Sequence, residues 1–137
     1  MHFDKIALNE YLAVLEKGEE IITSLNRISS ENNLSTAFLI SGIGMLNKIK
    51  IGYFDGEKYV PENIEGACEL LSLSGNLTYK NGEHLWHLHT LLGQKGGNAI
   101  GGHLFSGTVC VTAEILIKAY DKHIERKEVS PNLWLIA

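Results

Sequence analysis

The dipeptide Asn81-Gly82 separates two runs that alternate apolar and polar residues, 69–80 and 83–92, and it constrains the fold more than any other feature of the chain. A type I′ turn needs positive φ at both central residues, which asparagine and glycine accept, and its twist matches that of the strands it joins. Such a turn also fixes the register. With Lys80 opposite Glu83, Leu77 falls opposite Trp86, Asn76 opposite His87, Gly75 opposite Leu88 and Ser74 opposite His89.

Alternation then sorts the side chains into two faces. One face collects Leu71, Leu73, Leu77, Tyr79, Trp86 and Leu88, a surface that has to be buried. The other carries Ser72, Ser74, Asn76 and Thr78 beside His87 and His89. His84 goes with Tyr79 to the apolar side, near the turn. The segment HLWHLHT, which holds three of the six histidines, is thereby divided between the faces.

The rest of the chain extends this sheet. Glycine-rich residues 93–98 form a loop before a returning strand at 99–105, and His103 opposite His89 sets Leu92 opposite Ile100, leaving 93–99 as the connection. Residues 108–120 alternate again, with Val109, Val111, Ala113, Ile115 and Ile117 on one face. Nearer the N-terminus, 36–40 and 48–54 read as strands separated by a glycine-rich turn or bulge at Ser41-Gly42-Ile43-Gly44. Short extended pieces are expected at 11–15, 58–61 and 133–137. Residues 18–33 place Ile21, Ile22, Leu25 and Ile28 on one helical face, with Glu19 and Glu20 in the first turn and Asn32 or Asn33 ending the helix. The fold class expected is α+β, a largely antiparallel curved sheet with one main flanking helix, as a single domain over 1–137.

Charge and cysteine usage limit the function classes. A net charge of −4, with scattered lysines and no arginine-rich arm, opposes direct contact with a phosphate backbone. Cys68 and Cys110 lie inside apolar runs, as buried thiols of a reducing compartment do, and no stretch is long and apolar enough for a signal core or membrane span. A cytoplasmic location without membrane contact is the expectation.

His87 and His89 are two apart on a strand, so both imidazoles point the same way and can converge on one ion at about 2.0–2.1 Å. His103 on a neighbouring strand can supply the third nitrogen. The alternative is a set of hydrogen-bonded polar residues. Three neutral imidazoles suit zinc first and leave a fourth position for water, a carboxylate or a ligand. Ser74 and Asn76 are natural partners for ring nitrogens that do not bind metal. Glu114 and Glu69 are candidate general bases if the site is catalytic, and otherwise solvated or cross-strand carboxylates. Gly42-x-Gly44 lacks the third glycine of a dinucleotide loop, and no serine sits on a Gly-x-Ser-x-Gly elbow.

Five stretches in order resemble a known family. They are Ser41-Gly42-Ile43-Gly44 with Ile51-Gly52-Tyr53, the run from Glu69 to Asn76, His87-x-His89, Gly101-Gly102-His103-Leu104, and Thr112-Ala113-Glu114. Together they resemble the plants-and-prokaryotes-conserved (PPC, DUF296) domain, also described as PD1-like candidate DNA-binding proteins. The resemblance implies a homotrimer, with His87, His89 and His103 as the metal set and oligomerisation or partner contact as the domain's role. In plants the domain follows AT-hooks that hold DNA, and this chain has none. Two functions are therefore expected: a trimeric, DNA-associated regulatory or interaction module with a metal, or a zinc-dependent enzyme (hydrolase or lyase) or small-molecule binder with an open metal position between subunits.

Overall fold

The computed structural model describes residues 1–137. Nine strands and one helix follow one another as β1 (His2–Ala7), β2 (Glu10–Glu16), α1 (Ile21–Glu31), β3 (Thr36–Phe54), β4 (Tyr59–Ile64), β5 (Cys68–Lys80), β6 (Glu83–Gly93), β7 (Ala99–Tyr120), β8 (Glu125–Ser130) and β9 (Leu133–Ile136). All strand pairs are antiparallel except the short β5–β8 contact. Strand β3 pairs with β5 and β7, while β6 also pairs with both, so the four long strands form a closed circuit. The expected curved sheet thus closes on itself. Strands as long as β3 and β7 can do this because their ladder shifts register at several bulges, each of which bends the strand.

The Asn81-Gly82 turn has φ of 53° and 78°, and every cross-strand pair expected from it forms. The second hairpin places His89 opposite His103 and Leu92 opposite Ile100. Pairing extends one step further, to Gly93 and Ala99, which shortens that loop to residues 94–98.

Helix α1 buries Ile21, Leu25 and Ile28 against the sheet, and the Trp86 indole N–H donates to Ser29 Oγ at 3.0 Å. It starts later than the expected residue 18. Gly18, at φ 94°, and Glu19 instead pair their backbone with Val109. Glu20 is consequently the N-cap and not a first-turn residue: its carboxylate accepts from Thr23 N at 2.7 Å and from Gly107 N at 3.2 Å. Asn32 caps the other end and Asn33 takes the left-handed conformation at φ 52°. Glu20→Ala is expected to cost about 1–2 kcal/mol, because one carboxylate satisfies two backbone donors. Urea denaturation at pH 7 checks this.

The core contains Leu15, Leu25, Leu46, Leu73, Leu77, Leu88, Ile115 and Ile117, each 1% exposed or less. Two residues expected in that apolar face are outside it. Leu71 is 48% exposed and Val111 62% exposed. The β5–β6 register shifts between Leu70 and Ser72, and the β3–β7 register shifts between Gly44 and Leu46, so alternation breaks at both places. Residues 41–44 accordingly belong to one continuous bulged strand and do not separate two strands. Strands β1 and β8 have no counterpart in the sequence reading. No helix is long and apolar enough to cross a membrane, and both cysteines are free.

Candidate metal centre

Two adjacent strands bring the histidines together. His87 and His89 project from β6, and His103 projects from β7 through the His89–His103 pair. One ring nitrogen from each lies within 4.8 Å of the other two. His87 Nε2 and His89 Nε2 are 3.2 Å apart. Two imidazoles bound to one zinc at about 2.0–2.1 Å in a tetrahedron hold their nitrogens about 3.3 Å apart, so this pair already has ligand spacing. His103 Nδ1 is buried without any hydrogen-bond partner, as suits a nitrogen whose lone pair serves an ion or a ligand. The donor set and its spacing fit a metal.

The backbone around the rings is tight. At Gly102, beside His103, a Cβ would lie 2.6 Å from the Gly52 carbonyl oxygen, so glycine lets β7 approach β3 closely there. At Gly75, φ is 152° and a Cβ would lie 2.0 Å from the His87 carbonyl oxygen.

Electrostatics favour neutral rings. Burial, followed by the Arg126 guanidinium and then His89, pushes His87 down to about 4 from the ordinary 6.5. Burial, followed by His87, His89 and Arg126, does the same to His103. Neutral imidazole is the ligand form, so proton competition at these two rings starts at more acid pH than an ordinary histidine allows. In the metal-free protein the unfolded chain takes up these protons near 6.5 and the folded chain only near 4. The unfolded state therefore binds more protons between those values, and stability falls as pH falls through them. Chemical denaturation from pH 7.5 to 4 is expected to show this decline, reduced in a His87→Gln, His103→Gln double variant. An identical slope in that variant contradicts the assignment.

Arg126 was not legible as a site residue. It sits on β8, flanked by Glu125, Lys127 and Glu128, and reads in sequence as part of a solvated charged run. In the structure it is 8% exposed and reaches His87. Its Nη2 donates to Asn76 Oδ1 at 2.8 Å and to His87 Nδ1 at 3.3 Å, and its Nε donates to Thr78 Oγ1 at 3.0 Å. Asn76 thus orients Arg126, and through it His87, without touching a ring itself. Ser74 is opposite His89 in the ladder but is exposed and makes no side-chain hydrogen bond to it.

Glu69 and Glu114 are not brought to the histidines. Both line a separate groove of about 520 Å³ with Ile43, Leu71 and Val111. A different cavity, of about 330 Å³, reaches His87 and His103, and its other walls include Phe54, Tyr59, Trp134 and Arg126. No aspartate or glutamate lines it.

Residues 5–121 match the Plants and Prokaryotes Conserved (PCC) domain. Among solved structures, a plant- and prokaryote-conserved protein from Pyrococcus horikoshii is 36% identical, with a TM-score of 0.85 over 93% of this chain and 90% of that one. A metal-containing protein from Archaeoglobus fulgidus is 29% identical, with a TM-score of 0.85 over 100% and 99%. A candidate DNA-binding protein from Bacteroides thetaiotaomicron is 24% identical, with a TM-score of 0.92 over 99% and 96%, a likeness of fold. Bifunctional GlmU proteins from two Synechococcus strains are each 30% identical over 114 and 113 residues, and this chain spans 17% of their length.

Proposed function

The chain belongs to the Plants and Prokaryotes Conserved (PCC) domain family, and from that premise we propose that it works as a homotrimeric regulatory or interaction module that holds one zinc ion through His87, His89 and His103. The single observation that carries the proposal is the convergence of three imidazole nitrogens within 4.8 Å, two of them already at ligand spacing. The Archaeoglobus relative, described as metal-containing, supports it. Bound zinc would act as a Lewis acid and lower the pKa of a coordinated water to about 7. The protein's own contribution is to keep the rings neutral, fix their spacing and shelter His87 and His103 from solvent. Metal analysis of protein purified without chelators or metal-affinity steps tests the proposal. One zinc per chain is expected, and none after reconstitution with zinc would refute it.

Trimerisation has its own support. Ile43, Leu71 and Val111 are 51%, 48% and 62% exposed and line one groove on the outer face of the sheet. An apolar surface of this kind on a small domain calls for a partner, and a second and third copy of the same sheet provide one. The mass in solution is expected to be three times the 15.2 kDa of the chain. Val111→Asp is expected to give monomers that remain folded, because the side chain lies outside the core. A trimer that persists in that variant places the interface elsewhere.

The relatives described as candidate DNA-binding proteins suggest association with DNA, yet the net charge of −4 argues for association through partners and not through direct duplex contact. Sequence-preferring binding in a mobility-shift titration at physiological salt would reverse that. A second reading, a zinc-dependent small-molecule binder, is favoured by the cavity at His87 and His103. Its lack of carboxylates, with Glu69 and Glu114 in another groove, favours binding over hydrolase or lyase chemistry.

A further inference from the structure

Arg126 is a buried cation without a counter-charge. It is 8% exposed, and its partners, Thr78 Oγ1, the Trp134 carbonyl, Asn76 Oδ1 and His87 Nδ1, are all neutral. Burial of an unpaired charge is costly and is relieved by an anion. The cavity of about 330 Å³ that Arg126 borders also contains Lys80, whose Nζ lies 4.4 Å from the centre of the Trp134 ring. Two cations and no carboxylate therefore line one cavity in a chain whose net charge is −4. Its aromatic and leucine walls suit a flat apolar body. Its volume falls at the small end of ligand pockets, about 300–1,000 Å³.

Proton positions connect this cavity to the histidines. Arginine only donates, so His87 Nδ1 is the acceptor at 3.3 Å and the ring proton sits on Nε2, the nitrogen 3.2 Å from His89 Nε2. A metal at that nitrogen needs its lone pair, which requires the proton on Nδ1. Two donors, Arg126 Nη2 and His87 Nδ1–H, would then face each other. An acceptor inserted between them satisfies both.

We propose that this cavity binds a small carboxylate with a flat apolar body, whose oxygens accept from Arg126 and from His87 Nδ1–H, and that carboxylate and metal favour each other's binding. The coupling rests on the metal site proposed above, whereas the carboxylate site stands without it. A carboxylate suits Arg126 better than a phosphate dianion, since hydrogen bonds already engage four of its five N–H groups. The match to the family model ends at residue 121, so Arg126 on β8 and Trp134 on β9 come from the β8–β9 hairpin that follows it. Arg126 is thus supplied by that hairpin, whereas the three histidines lie within residues 5–121.

Benzoate is the probe, and benzamide, which has the same shape without the charge, is the control. Calorimetric titration of the metal-free full chain is expected to show benzoate binding at least ten-fold tighter than benzamide, with the difference lost in Arg126→Gln. Equal affinities, or no benzoate binding, overturn the carboxylate site, and this comparison needs no variant. Saturating benzoate is then expected to lower the zinc Kd of the wild-type protein at least five-fold, and zinc to tighten benzoate by the same factor. Unchanged zinc affinity overturns the coupling. Coupling that survives in Arg126→Gln puts the carboxylate on the metal and overturns the placement. If zinc does not bind at all, the metal proposal fails and the benzoate comparison still decides the cavity.

Discussion

His89→Ala is expected to lower zinc affinity by at least about 100-fold, since even residues that merely orient metal ligands are worth about 10–100-fold. His89 is the informative histidine to remove because it is exposed and its one side-chain hydrogen bond is to His87. Its loss leaves the core and the Arg126 network intact. The metal-free variant should therefore unfold within about 0.5 kcal/mol of the parent, as exposed substitutions do. The parent, but not the variant, should gain about 2.7 kcal/mol at zinc concentrations of 100 Kd. Denaturation with and without zinc measures both quantities. Equal stabilisation of the two proteins would show that zinc binds somewhere other than the three imidazoles.

Gly75→Ala is expected to be among the most damaging single-methyl changes. The added Cβ would sit 2.0 Å from the His87 carbonyl oxygen and 2.9 Å from Leu88 Cα, both backbone atoms that no rotamer can move. Strain at φ 152° adds to the clash. The two strands must separate where His87 and the core residue Leu88 are held, which should cost on the order of 3–5 kcal/mol. Zinc affinity should fall too, because His87 moves with its backbone. Gly82→Ala is the control: its Cβ would meet nothing within 4 Å, so only the strain at φ 78° remains. Thermal denaturation of both variants checks this, and a Gly75→Ala protein as stable as Gly82→Ala would contradict the close approach.

The parts of the fold that are legible in the sequence are those set by short-range chemistry. Asn81-Gly82 dictated the β5–β6 register, and through it the separation of His84 from His87 and His89. His84 does lie with Tyr79, its Nε2 2.9 Å from the phenol oxygen. The histidine set was legible because the two ladders that align it, β5–β6 from Ser72 to Lys80 and β6–β7, run without a register shift. Legibility fails at bulges. Leu71 and Val111 read as core, and a register shift beside each turns it outward, onto the groove proposed as the trimer face. Periodicity cannot anticipate an extra residue in a strand, since the bulge is imposed by the partner strands. Arg126 was hidden for a different reason. Its burial depends on β8 joining the far end of β5 through the Tyr79–Glu125 and Lys80–Arg126 pairs, a long-range contact with no local signature. Helix α1 began late because the Gly18 and Glu19 backbone is used in pairing with β7, a tertiary contact that overrides helix propensity.

His87, His89 and His103 are proposed to bind one metal together. Anomalous diffraction at the zinc edge from crystals of the protein purified without added metal tests this most directly. One peak per chain, about 2.0–2.1 Å from a nitrogen of each ring, is the predicted result. Crystals soaked in zinc that show no peak among the three rings, or one bound to only two of them, would contradict it.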